Sequence, residues 1–304
     1  MRNRWTLLPL LLSVAVISCK KDKQAVSAQL IFKFKFDSTQ ARLNNIGQPS
    51  TIPAGHGAQS PVFNNMSVHY IELTTGPLVA LGQGTVLYKA PETTAGGSTA
   101  IDFEKSTFAG NNETFFSVPL KDVPAAEYEW IRVSLAYQNA DVKFKVDTTV
   151  LGITINQEFV GTLAGFIGFN TYLKTFKVKN QSLTVNGNRK QGYWGFETVL
   201  SAAGYTYPFI TSGQAPEGAT TVVNPLFATS PIPQGSCVVT GAFVPGKLVI
   251  TGNETGDIIV EVSFSTNKSF EWEDVVADGK WEPSKGEQVT DMGIRGMIPT
   301  VKTP

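Results

Sequence analysis

Seven carboxylates crowd the stretch from Glu271 to Asp291 (Glu271, Glu273, Asp274, Asp278, Glu282, Glu287 and Asp291), against only Lys280 and Lys285. Carboxylates this close repel one another unless water or a cation lies between them. Asp274, Asp278 and Glu282 stand at the first, fifth and ninth positions of an EF-hand-type calcium loop, with Gly279 at the sharp turn. Val276 brings no side-chain oxygen to the third position. Lys285 stands where the closing carboxylate belongs, which leaves Glu287 or Asp291 to complete the shell. The competing reading is a solvated acidic turn. Phe270, Trp272 and Trp281 border it, and an exposed tryptophan pair offers flat apolar faces to sugar rings. Trp272 and Trp281 are therefore carbohydrate-binding candidates, with burial in the core as the alternative.

Other chemistry is sparse. The chain has two histidines, His56 in a loop and His69 in a strand, where it alternates onto the face of Ser67, Ile71 and Leu73. A lone strand histidine is either a hydrogen-bonded core residue or a metal ligand that needs further donors. No G-x-S-x-G elbow, H-E-x-x-H pair or phosphate-cradling glycine loop occurs. Histidine-dependent nucleophilic catalysis thus lacks support, and nothing singles out a carboxylate pair of the glycosidase kind. We expect a protein that is not an enzyme.

The residues that locate the protein lie at its start. Arg2 and Arg4 precede an apolar run from Trp5 to Ile17, and Val16-Ile17-Ser18-Cys19 leads into Lys20-Lys21-Asp22-Lys23. This pattern reads as a lipoprotein signal peptide over residues 1–18, too short to span a bilayer, with the mature chain acylated at Cys19. Several acyl chains hold well, since each buried methylene adds about 0.8 kcal/mol. Lys20 stands where an inner-membrane retention signal carries Asp, which points to the outer membrane of the cell envelope. Losing Arg2 and Arg4 from 25 basic residues leaves 23 against 25 acidic ones. No basic run follows Lys23, so nucleic acid is excluded as a partner. With Cys19 lipidated, Cys237 in Ser236-Cys237-Val238-Val239 has no disulfide partner and reads as a buried strand thiol.

The elements that must position these residues read as strands. Residues 19–28 suit a flexible tether. Leu30, Phe32, Phe34 and Phe36 then alternate with Ile31, Lys33 and Lys35. Residues 44–61 read as a Gly/Pro/Asn-rich loop, and strands recur at short spacing from Met66 to Ser265. Two of them, Tyr128–Tyr137 and Val142–Val146, are read as separate. Asn186-Gly187 reads as a two-residue hairpin turn. Gly204 to Gly235, with five prolines and the apolar Tyr205, Tyr207, Phe209, Val222, Val223, Leu226 and Phe227, reads as a long loop capping one end. No helical stripe of useful length appears. The expectation is an all-β, antiparallel β-sandwich, closed or nearly so, with long Pro/Gly-rich capping loops, over 29–304 as one domain or as two lobes, 29–150 and 151–304.

Several segments, taken in order, carry a family resemblance: Val68-His69-Tyr70-Ile71-Glu72-Leu73, Ala100-Ile101-Asp102-Phe103, Val123-Pro124-Ala125-Ala126-Glu127-Tyr128 leading into Trp130-Ile131-Arg132-Val133-Ser134-Leu135, and Gly192-Tyr193-Trp194-Gly195-Phe196. Over residues 28–200 this resembles the secreted, methanobactin-associated MbnP-like β proteins. The resemblance implies a β fold and copper bound through a histidine and an oxidised tryptophan, here His69 and Trp194. Cys19-Lys20-Lys21-Asp22 is similar to lipoprotein starts of the Bacteroidota, and Asp37-Ser38-Thr39 and Asp147-Thr148-Thr149 resemble that group's O-glycosylation tripeptides. The functional expectation is a non-enzymatic cell-envelope lipoprotein for binding or assembly, held on the membrane through Cys19, with an envelope protein or glycan as partner. The alternatives are a metal-binding module, with copper at His69 or calcium at the Asp274 turn, and a carbohydrate-binding accessory protein.

Overall fold

The computed structural model describes residues 27–80, 82–150, 152–202, 204–215 and 237–302; Cys19, the signal segment and most of the tether lie outside them, as do Val222, Val223, Leu226 and Phe227. The fold is all-β, with only one-turn 3-10 segments among the described residues. Its frame is set by alternation. Leu30, Phe32 and Phe34 of β1 (Gln29–Asp37) are fully buried while Ile31, Lys33 and Lys35 are not. β1 lies between β17 (Ile258–Ser265), in parallel, and β7 (Glu113–Pro119), antiparallel, and β20 (Met297–Lys302) closes the other side of β17. Phe34 stacks on Phe115 at 4.5 Å and meets Phe264 edge-on at 5.0 Å.

This sheet packs on a larger, curled one, ordered β14 (Tyr205–Gln214), β13 (Tyr193–Ala202), β10 (Ile153–Phe166), β9 (Trp130–Val150), β3 (Val62–Thr74) and β4 (Thr85–Lys89). β9 is its spine. At about 3.4 Å per residue a straight strand of this length would reach roughly 70 Å, beyond any domain of this size, so the sheet curls. One edge of β9 is shared: β15 (Cys237–Ala242) pairs along Trp130–Leu135 and β10 along Tyr137–Val150, with Ala136 between them. The other edge pairs with β3 through three register shifts. A third sheet of β12 (Ser182–Lys190), β11 (Asn170–Lys177), β6 (Ala100–Asp102) and β5 (Glu92–Thr93) covers the outer face of the large one. Two small ladders complete the fold: β18 (Phe270–Glu273) between β19 (Val289–Asp291) and β2 (His56–Gln59), and β16 (Leu248–Ile250) with β8 (Ala126–Tyr128).

Four expectations change. Residues 130–150 form one strand, because the polar Gln138, Asn139 and Asp141 find partners: Gln138 on Met292 of the facing segment, Asn139 on Val178 after β11, and Asp141 on Thr162 of β10 and on Lys179. Residues 44–61 are not all loop, since β2 joins β18. Tyr205, Tyr207 and Phe209 belong to β14, paired along its length with β13. Asn186-Gly187 makes no hairpin. Asn186 takes positive φ inside β12, where Val185 and Asn186 face Lys174 alone, a bulge. The turn lies instead at Val178–Gln181, where the carboxylate of Glu197 accepts the backbone N–H groups of Lys179, Asn180 and Gln181 at 2.8–3.0 Å.

Candidate functional site

The acidic stretch does not converge on one point. Lys145 of β9 reaches across to it, its ammonium 3.0 Å from Glu282 Oε1 and 3.1 Å from Asp278 Oδ2, and these contacts raise its pKa. Glu287 accepts the N–H groups of Glu282 and Val276 at 2.6 and 3.1 Å. Asp274 accepts the N–H of Gly279, and Asp278 that of Lys280. The calcium-loop carboxylates are thus divided among one ammonium and several backbone donors. Among the described residues no group of three or more His, Cys, Asp or Glu side chains is placed to hold a metal ion.

Glu271 and Asp291 belong to a second, buried network. Arg295 pairs with both, and Arg42 donates to Glu271 at 2.5 Å. Burial alone would raise the Glu271 carboxyl, but the two guanidiniums outweigh it and hold the group below its ordinary range. His56 Nδ1 lies 3.4 Å from Glu271, and these groups border a cleft of about 190 Å³. Net charge cancels within the network, which ties β18 to the segments carrying Arg42 and Arg295.

His69 and Trp194 are kept apart. Trp194 registers with Gly165, Gly165 with Gln138, and Gln138 with Met66, so three strand spacings of about 4.8 Å separate Trp194 from the strand of His69. They also take opposite faces of the sheet. Trp194 packs on the inner core, whereas His69 lies on the outer side against Phe169, with Nε2 2.9 Å from Glu92 of β5. The register shifts on either side of Val68 turn His69 away from the face of Ile71 and Leu73, contrary to simple alternation. Burial lowers its pKa in spite of Glu92, which leaves a neutral imidazole. Cys237 is a buried strand thiol, its pKa pushed up by burial.

The tryptophans of the acidic turn are core residues. Trp272 is 1% exposed, and its ring covers Gly57 so closely that a Cβ there would fall 2.4 Å from it. Stacking on a sugar is therefore closed to Trp272. Trp281 is 8% exposed, bonded through its indole N–H to the Glu287 carbonyl and packed edge-on against Phe144, Phe196 and Phe270.

These rings lead to a cavity on the inner face. It measures about 640 Å³ and lies between the large sheet and the segment from Trp281 to Met292. Phe144 and Val146 of β9, Leu163 of β10, Trp194, Phe196 and Leu200 of β13 and Phe209 of β14 form the sheet side; Trp281, Val289 and Met292 form the other. Alternation explains the walls: Trp194, Phe196, Thr198 and Leu200 point inward, while Gly195 and Glu197 face the third sheet. Gly161 lets Phe196 lie across β10, since a Cβ there would meet the ring at 2.1 Å. Exposed Phe209, Ser284 and Gln288 border the mouth.

No family model, curated protein or solved structure matches the chain. The function must be argued from the cavity and from the sequence. Reasoning along the chain found Trp194 and Trp281 but assigned them to copper and sugar. Leu163 and Phe196 were missed, because their inward alternation looks like any core strand until the sheets are assembled; Phe209 was read as part of a capping loop, and Met292 lies outside any strand. Glu197, Arg42 and Arg295 were missed too, each isolated among residues of other types.

Proposed function

We propose that this chain is a non-enzymatic, lipid-anchored cell-envelope protein, tethered through Cys19, whose β domain binds an apolar ligand in the cavity between Trp194 and Trp281. The observation that carries this reading is the cavity itself. Its 640 Å³ falls within the range of small-molecule sites, and its walls are dominated by aromatic and aliphatic side chains. Burying ten methylenes there gains roughly 8 kcal/mol before ordering costs, at about 0.8 kcal/mol each. An envelope location brings such ligands close, and a sparse catalytic inventory fits carriage better than conversion.

The test is titration with the neutral apolar fluorophore N-phenyl-1-naphthylamine of the chain beginning at Lys20, which keeps every described residue. Saturable enhancement is expected, lost in Thr211→Trp, which fills the cavity from the β14 side, and kept in Val249→Trp, which is exposed on β16. No enhancement, or enhancement seen only after excision of residues 216–236, would overturn the reading. Acylation is checked separately: labelled palmitate should enter the full-length chain in cells and not the Cys19→Ala variant.

A further inference from the structure

The polar groups around the cavity say which ligands it takes, given that the proposed apolar site is real. Among the described residues two charged side chains line it, Lys145 and Glu287. Lys145 is engaged by Asp278 and Glu282, and both Glu287 oxygens accept backbone N–H groups. Two of the uncharged polar side chains of the lining are also engaged. Thr198 donates to the Val160 carbonyl at 2.9 Å and Gln214 to the Gln191 carbonyl at 2.7 Å. A carboxylate headgroup drawn into this wall would give up water without gaining a free cation, which is costly. It also meets excess negative charge, because the one ammonium is paired with two carboxylates, Asp278 and Glu282, and a third, Glu287, lines the same wall.

We infer that the cavity selects uncharged apolar ligands and rejects fatty carboxylates, because its single ammonium is already spent on its own acidic turn. The selectivity is electrostatic and reversible by design. Removing the carboxylates that hold Lys145 would leave a free cation at the wall, and a free ammonium there would take a carboxylate as a charge-assisted partner.

The experiment displaces N-phenyl-1-naphthylamine from the chain beginning at Lys20 with dodecanol, laurate or dodecylamine at about pH 8, where laurate is ionised. Dodecanol should compete at least about tenfold better than laurate, a difference of about 1.4 kcal/mol, and dodecylamine should also compete better than laurate. In Asp278→Asn/Glu282→Gln, laurate should gain about tenfold while dodecanol stays within about twofold. Asp278→Asn alone serves if the double variant fails to fold, with a smaller gain in the same direction. Laurate competing as well as dodecanol, or better than dodecylamine, in the unaltered chain would overturn the inference and leave the apolar site standing. Failure of every probe, the fluorophore included, would overturn both.

Discussion

Glu271 is the carboxylate that holds two arginines: Arg42 and Arg295 both direct their guanidiniums at it, and its side chain is almost fully buried. Removing its charge leaves Arg42 and Arg295 under-compensated, and breaking buried pairs of this kind costs about 3–5 kcal/mol. Glu271→Gln should lower the urea midpoint accordingly at unchanged m-value; a loss below about 1 kcal/mol would mean the network is solvated. His69 makes the pH prediction. Burial depresses its folded pKa below the ordinary 6.5, so the unfolded chain binds the proton first. Its contribution is present above pH 6.5 and is lost as the pH falls below it. His69→Gln should therefore flatten the fall in stability between about pH 7 and pH 5, measured by urea unfolding. An unchanged slope would show that the imidazole titrates normally.

At the scale of elements, a single side chain can stand in for turn chemistry that the local sequence lacks. The turn at Val178–Gln181 has no glycine or proline, yet Glu197 from β13 satisfies three consecutive N–H groups there. Burial works against the Glu197 carboxylate, but the backbone donors more than offset it and lower its pKa. Glu197→Ala should cost about 2 kcal/mol and speed amide exchange at Lys179, Asn180 and Gln181 before it affects β9. Equal protection in both proteins would mean the turn holds itself. Asn186-Gly187 teaches the converse. Positive φ at Asn186 serves a bulge as well as a hairpin, and pairing with β11 selected the bulge.

At the scale of the whole molecule, strands from opposite ends of the described residues share a sheet. β1 pairs with β17, and a cut at 150 would fall within the β9–β10 hairpin. Segments 27–150 and 151–302 expressed apart should stay unfolded by near-ultraviolet circular dichroism, because each would expose half of one core; two cooperative halves would show independent lobes. The acidic turn is likewise a matter of assembly. Since Lys145 and backbone donors already divide its carboxylates among them, thermal unfolding should give the same midpoint with and without EDTA. A lowered midpoint in EDTA would restore a calcium ion at Asp274, Asp278 and Glu282.

The sequence by itself determined the all-β class, the buried face of β1 and the strand burial of Cys237, because these follow from local alternation and composition. Only tertiary structure decided what the chemistry-bearing residues do. The carboxylates after Glu271 look like ligands until Lys145, more than a hundred residues earlier, is brought against them. Trp272 looks like a sugar platform until Gly57 is laid beneath it. His69 and Trp194 look like partners until register shifts and sheet faces separate them. The apolar cavity needed β9, β10, β13 and β14 curled against the segment ending at Met292, and no stretch of sequence contains a hollow formed between strands that are distant along the chain.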